Sequence, residues 1–222
     1  MSLVPGPVAG AVGPCPVCAG PGRALMAVEG RDYGACERCG ARYLAPRHFP
    51  DRAAEAEYYA LHDNRPDDPA YRRFLARLAG PLLAVLPAGA SGLDYGCGPG
   101  PALAAMLREA GHRVALYDPV FAPDPAPLSA RHDFVACTEV AEHFHRPGAE
   151  FDRLAGLLRP GGWLAVMTCF QTDDARFAAW HYRRDPTHVV FYREETLRHV
   201  AAARGLSFHS PAKDVALMQA PA

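Results

Sequence analysis

Three groups of residues in this chain combine types and spacings that could carry chemistry. The segment TEVAEHFH at 138–145 gathers Glu139, Glu142 and His143 directly after an apolar run. On a helical turn these three stand at i, i+3 and i+4 and share one face. Two carboxylates and an imidazole arranged in this way suit Mg²⁺, Mn²⁺, Fe²⁺ or Zn²⁺. His188, in the later stretch RRDPTHVVFY, is the candidate fourth ligand, since it follows the next strand and lies over the same sheet edge. Without a metal, His143 or His188 would serve as general base. A purely structural origin stands level with these roles: the helix dipole favours glutamates in a first turn, and His143 can simply be packed there.

The second group is Cys15-Pro-Val-Cys18 and Cys36-Glu-Arg-Cys39, two CxxC pairs with seventeen residues between them. That spacing fits a four-thiolate zinc site. A complete tetrahedral sulfur shell leaves no seat for substrate, so the zinc is expected to be structural, replacing a core that some 35 residues cannot build. The third group is the run SGLDYGCGPG at 91–100 and the acid Asp118, twenty-two residues after Gly96. A strand entering a glycine turn, a helix opened by Pro101 and a second strand ending in an acid form a nucleoside site in which Asp118 accepts from both ribose hydroxyls.

The elements that must position these groups follow from periodicity. Residues 1–12 are expected as a disordered tail, 13–48 as a zinc ribbon, 49–90 as a helical lid or cap, and 91–222 as the cofactor-binding domain. Phe74, Leu75, Leu78, Leu82 and Leu83 recur near the helical period. From position 91 strands and helices alternate, which predicts an α/β Rossmann-like parallel sheet covered on both faces. Asp118 and Asp133 are only fifteen residues apart, and PVFAPDPAPLSARH holds too many prolines for a helix and a third strand, so that region is expected to be shortened. LSFHS and DVALMQ would close the sheet as an antiparallel hairpin.

The LDYGCGPG run resembles the first motif of class I S-adenosylmethionine-dependent methyltransferases, and Asp118 the acid of their second. The resemblance implies a class I methyltransferase fold over residues 55–222 and nominates Asp94, Gly96, Gly98 and Asp118 as residues that bind S-adenosylmethionine. ExxEH after the fourth strand is similar to the metal motif of ubiquinone-biosynthesis O-methyltransferases and of small-RNA 2′-O-methyltransferases. In the latter a later histidine completes the site, and His188 lies in a similar context shifted by one residue. No counterpart of the family's adenine-binding acid is evident.

These features lead to an S-adenosylmethionine-dependent methyltransferase acting on an oxygen of a small molecule, with a divalent ion such as Mg²⁺ or Mn²⁺ as a candidate aid. The rivals are an RNA methyltransferase that uses ribbon arginines Arg23, Arg31, Arg38, Arg42 and Arg47, a sugar C- or N-methyltransferase, and a non-catalytic ribbon-bearing partner protein. Phe177, Trp180, His181 and Tyr182 would line a pocket or, by preference, a covering helix's core, while Tyr59 and His62 would face inward from a lid. A net charge of -1 argues against a global field for duplex nucleic acid or an anionic membrane. The first residues carry no signal-peptide pattern and no run is long enough to span a bilayer, so a reducing cytoplasm is expected.

Overall fold

The computed structural model describes residues 5–61 and 64–222. Three strands, β1 (Gly22–Val28), β2 (Arg31–Cys36) and β3 (Arg42–Leu44), carry the cysteine module. Two helices follow, α1 (Arg52–Tyr59) and α2 (Pro69–Leu83). Alternation then begins with β4 (Ser91–Tyr95), α3 (Ala102–Glu109), β5 (Arg113–Tyr117), β6 (His132–Thr138), α4 (Pro147–Gly156) and β7 (Leu158–Met167). Last come α5 (Asp174–Phe177), β8 (Val190–Phe191), α6 (Glu194–Ala202), β9 (Ser207–Ala212) and β10 (Val215–Gln219).

The main sheet has the order β5-β4-β6-β7-β10-β9. Strands β5, β4, β6 and β7 are parallel, and β10 runs antiparallel to both β7 and β9. β4 and β6 are buried almost throughout, as parallel strands covered on both faces must be. On α2 the buried positions Leu75, Leu78, Ala79 and Leu82 follow the helical period, while Asp68 caps the start by accepting from the Ala70 N–H at 2.7 Å. The chain leaves β4 towards β5 on one side and β6 on the other. This reversal opens a crevice at the carboxyl ends of the strands.

The proline-rich stretch behaves as expected: among the described residues no strand lies between β5 and β6. That region holds a bridge between Asp118 and Ala122 and a 3-10 turn over Ala126–Ser129, so β5 is the sheet edge. The closing hairpin of β9 and β10 is present.

Two expectations about the N-terminal region need correction. Residues 5–12 are not a disordered tail: Gly6 and Ala27 exchange backbone hydrogen bonds of 2.8 and 2.9 Å, the Ala9 N–H donates to Asp32 at 3.1 Å, and Val12 is buried. Residues 1–4 lie outside the described residues. The ribbon is also no separate appendage. β3 pairs with β8, and Tyr33, Tyr43 and Leu44 share one hydrophobic core with Phe177, Val190, Phe191, Val135 and Leu164. A module too small to bury its own apolar side chains buries them against its neighbour.

Candidate active site

β4 delivers the chain into the glycine turn, where Gly96 and Gly98 take φ of +77° and +63°, a region costly for residues with a Cβ. A Cβ on Gly96 would lie 2.5 Å from Val140, so the turn is packed against the ExxEH segment. Asp118, at the end of β5, receives the Gly98 N–H at 3.1 Å on one oxygen and the Val120 and Phe121 N–H groups at 2.8 and 3.0 Å on the other. Its carboxylate is therefore held in one orientation beside the turn. Asp94 is buried under it, and burial pushes its carboxyl up to about 7. The backbone carbonyl of Asn64 closes over Gly100, where a Cβ would sit 1.4 Å from it.

The helical turn anticipated at 139–143 is a 3-10 turn confined to Ala141–His143, preceded by Glu139 at φ +52°. The Glu139 N–H still belongs to the sheet, donating to the Met167 carbonyl at 2.8 Å, and the left-handed residue then redirects the chain. Glu139 therefore leaves the helical register expected of it, although its carboxylate and that of Glu142 still meet at the Tyr182 hydroxyl. Among the described residues, one ligand atom from each of Glu142, His143 and His188 lies within 4.8 Å of the others, and Glu139 is outside this group.

The tautomers of the two rings follow from their partners. His143 Nδ1 meets the Thr187 carbonyl at 3.2 Å and His188 Nδ1 the Tyr182 carbonyl at 2.7 Å. A carbonyl only accepts, so each Nδ1 carries a proton, and a neutral ring keeps its lone pair on Nε2. Burial holds His143 below the usual imidazole range, which keeps it neutral. Glu142 is 0% exposed; its Oε1 accepts the Tyr182 hydroxyl, and its Oε2 has no hydrogen-bond partner. His188 Nε2 also faces Asp185 Oδ2 at 3.8 Å. Imidazoles oriented through Nδ1, together with an orphaned buried carboxylate oxygen, form a donor set that fits a divalent ion.

Glu139 instead meets Tyr182, whose hydroxyl lies 3.2 Å from its Oε2. Burial and then the charge of Glu142 push Glu139 up to about 9, so it is protonated at neutral pH. The single Tyr182 proton therefore goes to Glu142, while Thr168 Oγ1 stands 3.1 Å from the same phenol oxygen. Of the anticipated aromatic residues, Tyr182 thus belongs to the site, its ring tilted against His188 with centroids 4.2 Å apart, and Phe177 belongs to the core. Tyr59 stands edge-on to His143 at 5.2 Å, as a lid residue would; His62 lies outside the described residues. Sequence reasoning missed Asp185 and the Glu55–His145 pair, 2.9 Å apart, which ties α1 to this turn. Asp185 had a readable signal, the DxxH spacing to His188.

The four cysteines converge as expected. Cys15 and Cys39 sulfurs lie 3.6 Å apart, and Cys18 and Cys36 sulfurs 3.5 Å apart. A tetrahedral zinc with sulfurs at about 2.3 Å would set them roughly 3.8 Å apart. The hydrogen bond from Cys39 lowers the Cys15 thiol to about 5 and drives Cys39 upward, because neighbouring sulfurs cannot both ionise without a cation between them. Cys97 and Cys169 are pushed up to about 12 by burial and Cys137 higher still, as packed rather than reactive thiols. No helix among the described residues is long and apolar enough to cross a membrane.

A family model described as "Methyltransferase domain" matches residues 62–210. The ubiquinone biosynthesis O-methyltransferase of Xylella fastidiosa (strain M23) is 32% identical over a stretch covering 38% of this chain and 44% of that protein. The chain thus spans less than half the length of the curated relatives it matches. Among solved structures, the 1,6-didemethyltoxoflavin-N1-methyltransferase of Burkholderia thailandensis, with 1,6-didemethyltoxoflavin and S-adenosylhomocysteine bound, has a TM-score of 0.56 at 19% identity, over 87% of this chain and 97% of that one. An O-methyltransferase family protein of the same organism has a TM-score of 0.51 at 19% identity, over 76% and 63%. These structures share the Rossmann-like sheet found here, and with the family match running over more than half of its length, the chain belongs to the methyltransferase-domain family.

Proposed function

We propose that this protein transfers a methyl group from S-adenosylmethionine to a hydroxyl oxygen of a small molecule, with a divalent ion held by Glu142, His143 and His188. Support comes above all from the buried Glu142 Oε2 without a partner, in a carboxylate grouped with two imidazoles whose Nδ1 atoms are engaged by backbone carbonyls. In this reading Asp118 binds the ribose, Gly96 and Gly98 allow close approach of the cofactor, and Asp94 supports its cationic end. The acceptor oxygen forms a bond to the methyl carbon while the sulfur–methyl bond breaks and its electron pair returns to sulfur. Where no ion occupies the centre, the hydroxyl proton passes to the neutral His143 Nε2; with an ion bound that lone pair would be its ligand, and the proton would leave to solvent. A divalent ion, when bound, lowers the pKa of a hydroxyl attached to it. Hydroxyls that can chelate, such as vicinal phenols, are the favoured acceptors.

An RNA substrate gains no support from the ribbon's arginines. Arg23, Arg42 and Arg47 pair with Glu37, Asp174 and Asp32, and Arg38 donates to the Cys18 carbonyl. Phosphates would have to displace these partners at four of the five arginines, which leaves Arg31. A four-cysteine zinc in the ribbon and an intracellular setting complete the proposal, the first on the sulfur geometry and the second on the unpaired cysteines.

The test is a titration of Mn²⁺ into zinc-loaded protein with S-adenosylhomocysteine present, following free Mn²⁺ by electron paramagnetic resonance for wild type and Glu142→Ala. Saturable binding lost in the variant is expected. Binding of S-adenosylhomocysteine with no saturable binding of Mn²⁺ would refute the metal-assisted step, and no binding of S-adenosylhomocysteine would refute the methyltransferase activity itself.

A further inference from the structure

The segment that carries His188 has little structure of its own. Between β7 and α6 it holds the four-residue α5, a 3-10 turn over His181–Arg184 and the two-residue β8. Such short pieces do not order themselves in water. Their order comes from the cysteine module. β3 pairs with β8 through Arg42 opposite Phe191 and Tyr43 opposite Val190, and the Leu44 N–H donates to the Val189 carbonyl at 2.8 Å. Arg42 makes a two-pronged ion pair with Asp174, at 2.8 and 2.6 Å. The Arg183 side chain, 1% exposed, donates to the Tyr33 hydroxyl at 3.2 Å, to the Ala178 carbonyl at 3.1 Å and to Glu29 at 3.1 Å.

These contacts reach the imidazole within one or two residues. Val189 follows His188, and Arg183 follows Tyr182, whose carbonyl fixes the His188 tautomer at 2.7 Å. At their other ends the same strands are built on the cysteines: Cys36 is the last residue of β2, its N–H donates to the Ala41 carbonyl at 2.9 Å, and its carbonyl accepts the Gly40 N–H at 3.0 Å. A substrate-docking appendage would need none of this wiring. We infer that the cysteine module is an internal clamp that positions His188, with Tyr33 and Arg183 as positioning residues, so that loading of the four sulfurs with zinc governs the geometry of the Glu142–His143–His188 centre. The inference rests on the proposed role of that centre. Metal binding at such a site is folding energy for the strands that carry it.

The experiment reads the ring nitrogens of His188 by ¹⁵N nuclear magnetic resonance across a pH titration, with S-adenosylhomocysteine affinity measured alongside. Zinc-loaded wild type should show a single Nδ1–H tautomer. Arg183→Gln and the zinc-stripped protein should both shift towards the mixed-tautomer signal of a free imidazole, with S-adenosylhomocysteine affinity unchanged because Arg183 bonds to Tyr33, Ala178 and Glu29 and to none of Asp94, Gly96, Gly98 and Asp118. An unaltered His188 signal in both forms would overturn the clamp. If either form also loses S-adenosylhomocysteine binding through unfolding, Tyr33→Phe, which keeps the ring and the cysteine cluster, decides by the same signal. Failure of wild type to bind S-adenosylhomocysteine would instead count against the methyltransferase activity, and the tautomer comparison would still decide the clamp.

Discussion

Replacing Glu142 with glutamine should change thermal stability in opposite directions depending on a divalent ion. The side chain is 0% exposed, its Oε1 accepts from Tyr182 and its Oε2 has no partner. A buried polar atom left unmatched costs about 1–3 kcal/mol. Glutamine keeps an oxygen for the Tyr182 hydroxyl and places N–H donors where an acceptor was stranded, in a group with His143 and His188. Without added ion, Glu142→Gln should therefore melt higher by roughly 2–12 °C, using about 2–4 °C per kcal/mol for a chain of this size. With Mn²⁺ at about one hundred times its dissociation constant, wild type gains about 2.7 kcal/mol, while an amide that cannot ligate as an anion gains little. The order should then close or invert. Differential scanning calorimetry of zinc-loaded protein with and without Mn²⁺ measures both arms. A variant that melts below wild type without the ion, or one that gains as much from Mn²⁺, would refute the reasoning from the orphaned oxygen.

Two further outcomes test the cofactor turn. Burial pushes Asp94 up to about 7, so its ionisation opposes folding: its contribution to stability is present below the unfolded carboxyl pKa and lost as pH rises through about 7. The cofactor's ammonium group, which S-adenosylhomocysteine keeps although it lacks the sulfonium charge, favours the ionised form, so calorimetric affinity for S-adenosylhomocysteine should rise about tenfold from about pH 6 to about pH 8, and Asp94→Asn should flatten that slope; a wild-type affinity flat over this range would remove Asp94 from the site. Gly96→Ala should lose both cofactor and Mn²⁺ binding, because φ +77° and a Cβ 2.5 Å from Val140 would shift the turn and the ExxEH segment together. Unimpaired Mn²⁺ binding in that variant would show the two to be uncoupled.

The features legible in the chain are those set by short-range covalent constraints. The turn at Gly96 and Gly98 is legible because left-handed φ selects glycine, and the missing third strand because prolines at 119, 123, 125 and 127 withhold backbone donors. The cysteine spacing is equally readable, since two CxxC turns bring four sulfurs into one shell. The ExxEH segment was legible in its ligand types and not in its geometry. A spacing of i, i+3, i+4 predicts a shared face only if the turn is helical, and Glu139 at φ +52° breaks that premise, leaving Glu142, His143 and His188 as the group.

The sequence by itself determined the residue chemistry at each motif: soft sulfurs, hard oxygens, imidazoles, and glycines where a Cβ would not fit. Only the tertiary structure decided which of them meet. The pairing of Tyr43 with Val190, the burial of Arg183 against Tyr33 and the orphaning of Glu142 Oε2 join residues far apart along the chain. Local pattern carries no record of such contacts, because hydrogen-bond partnership and exclusion of water belong to the packed chain, in which a segment too short to order itself takes its position from whatever strand lies beside it.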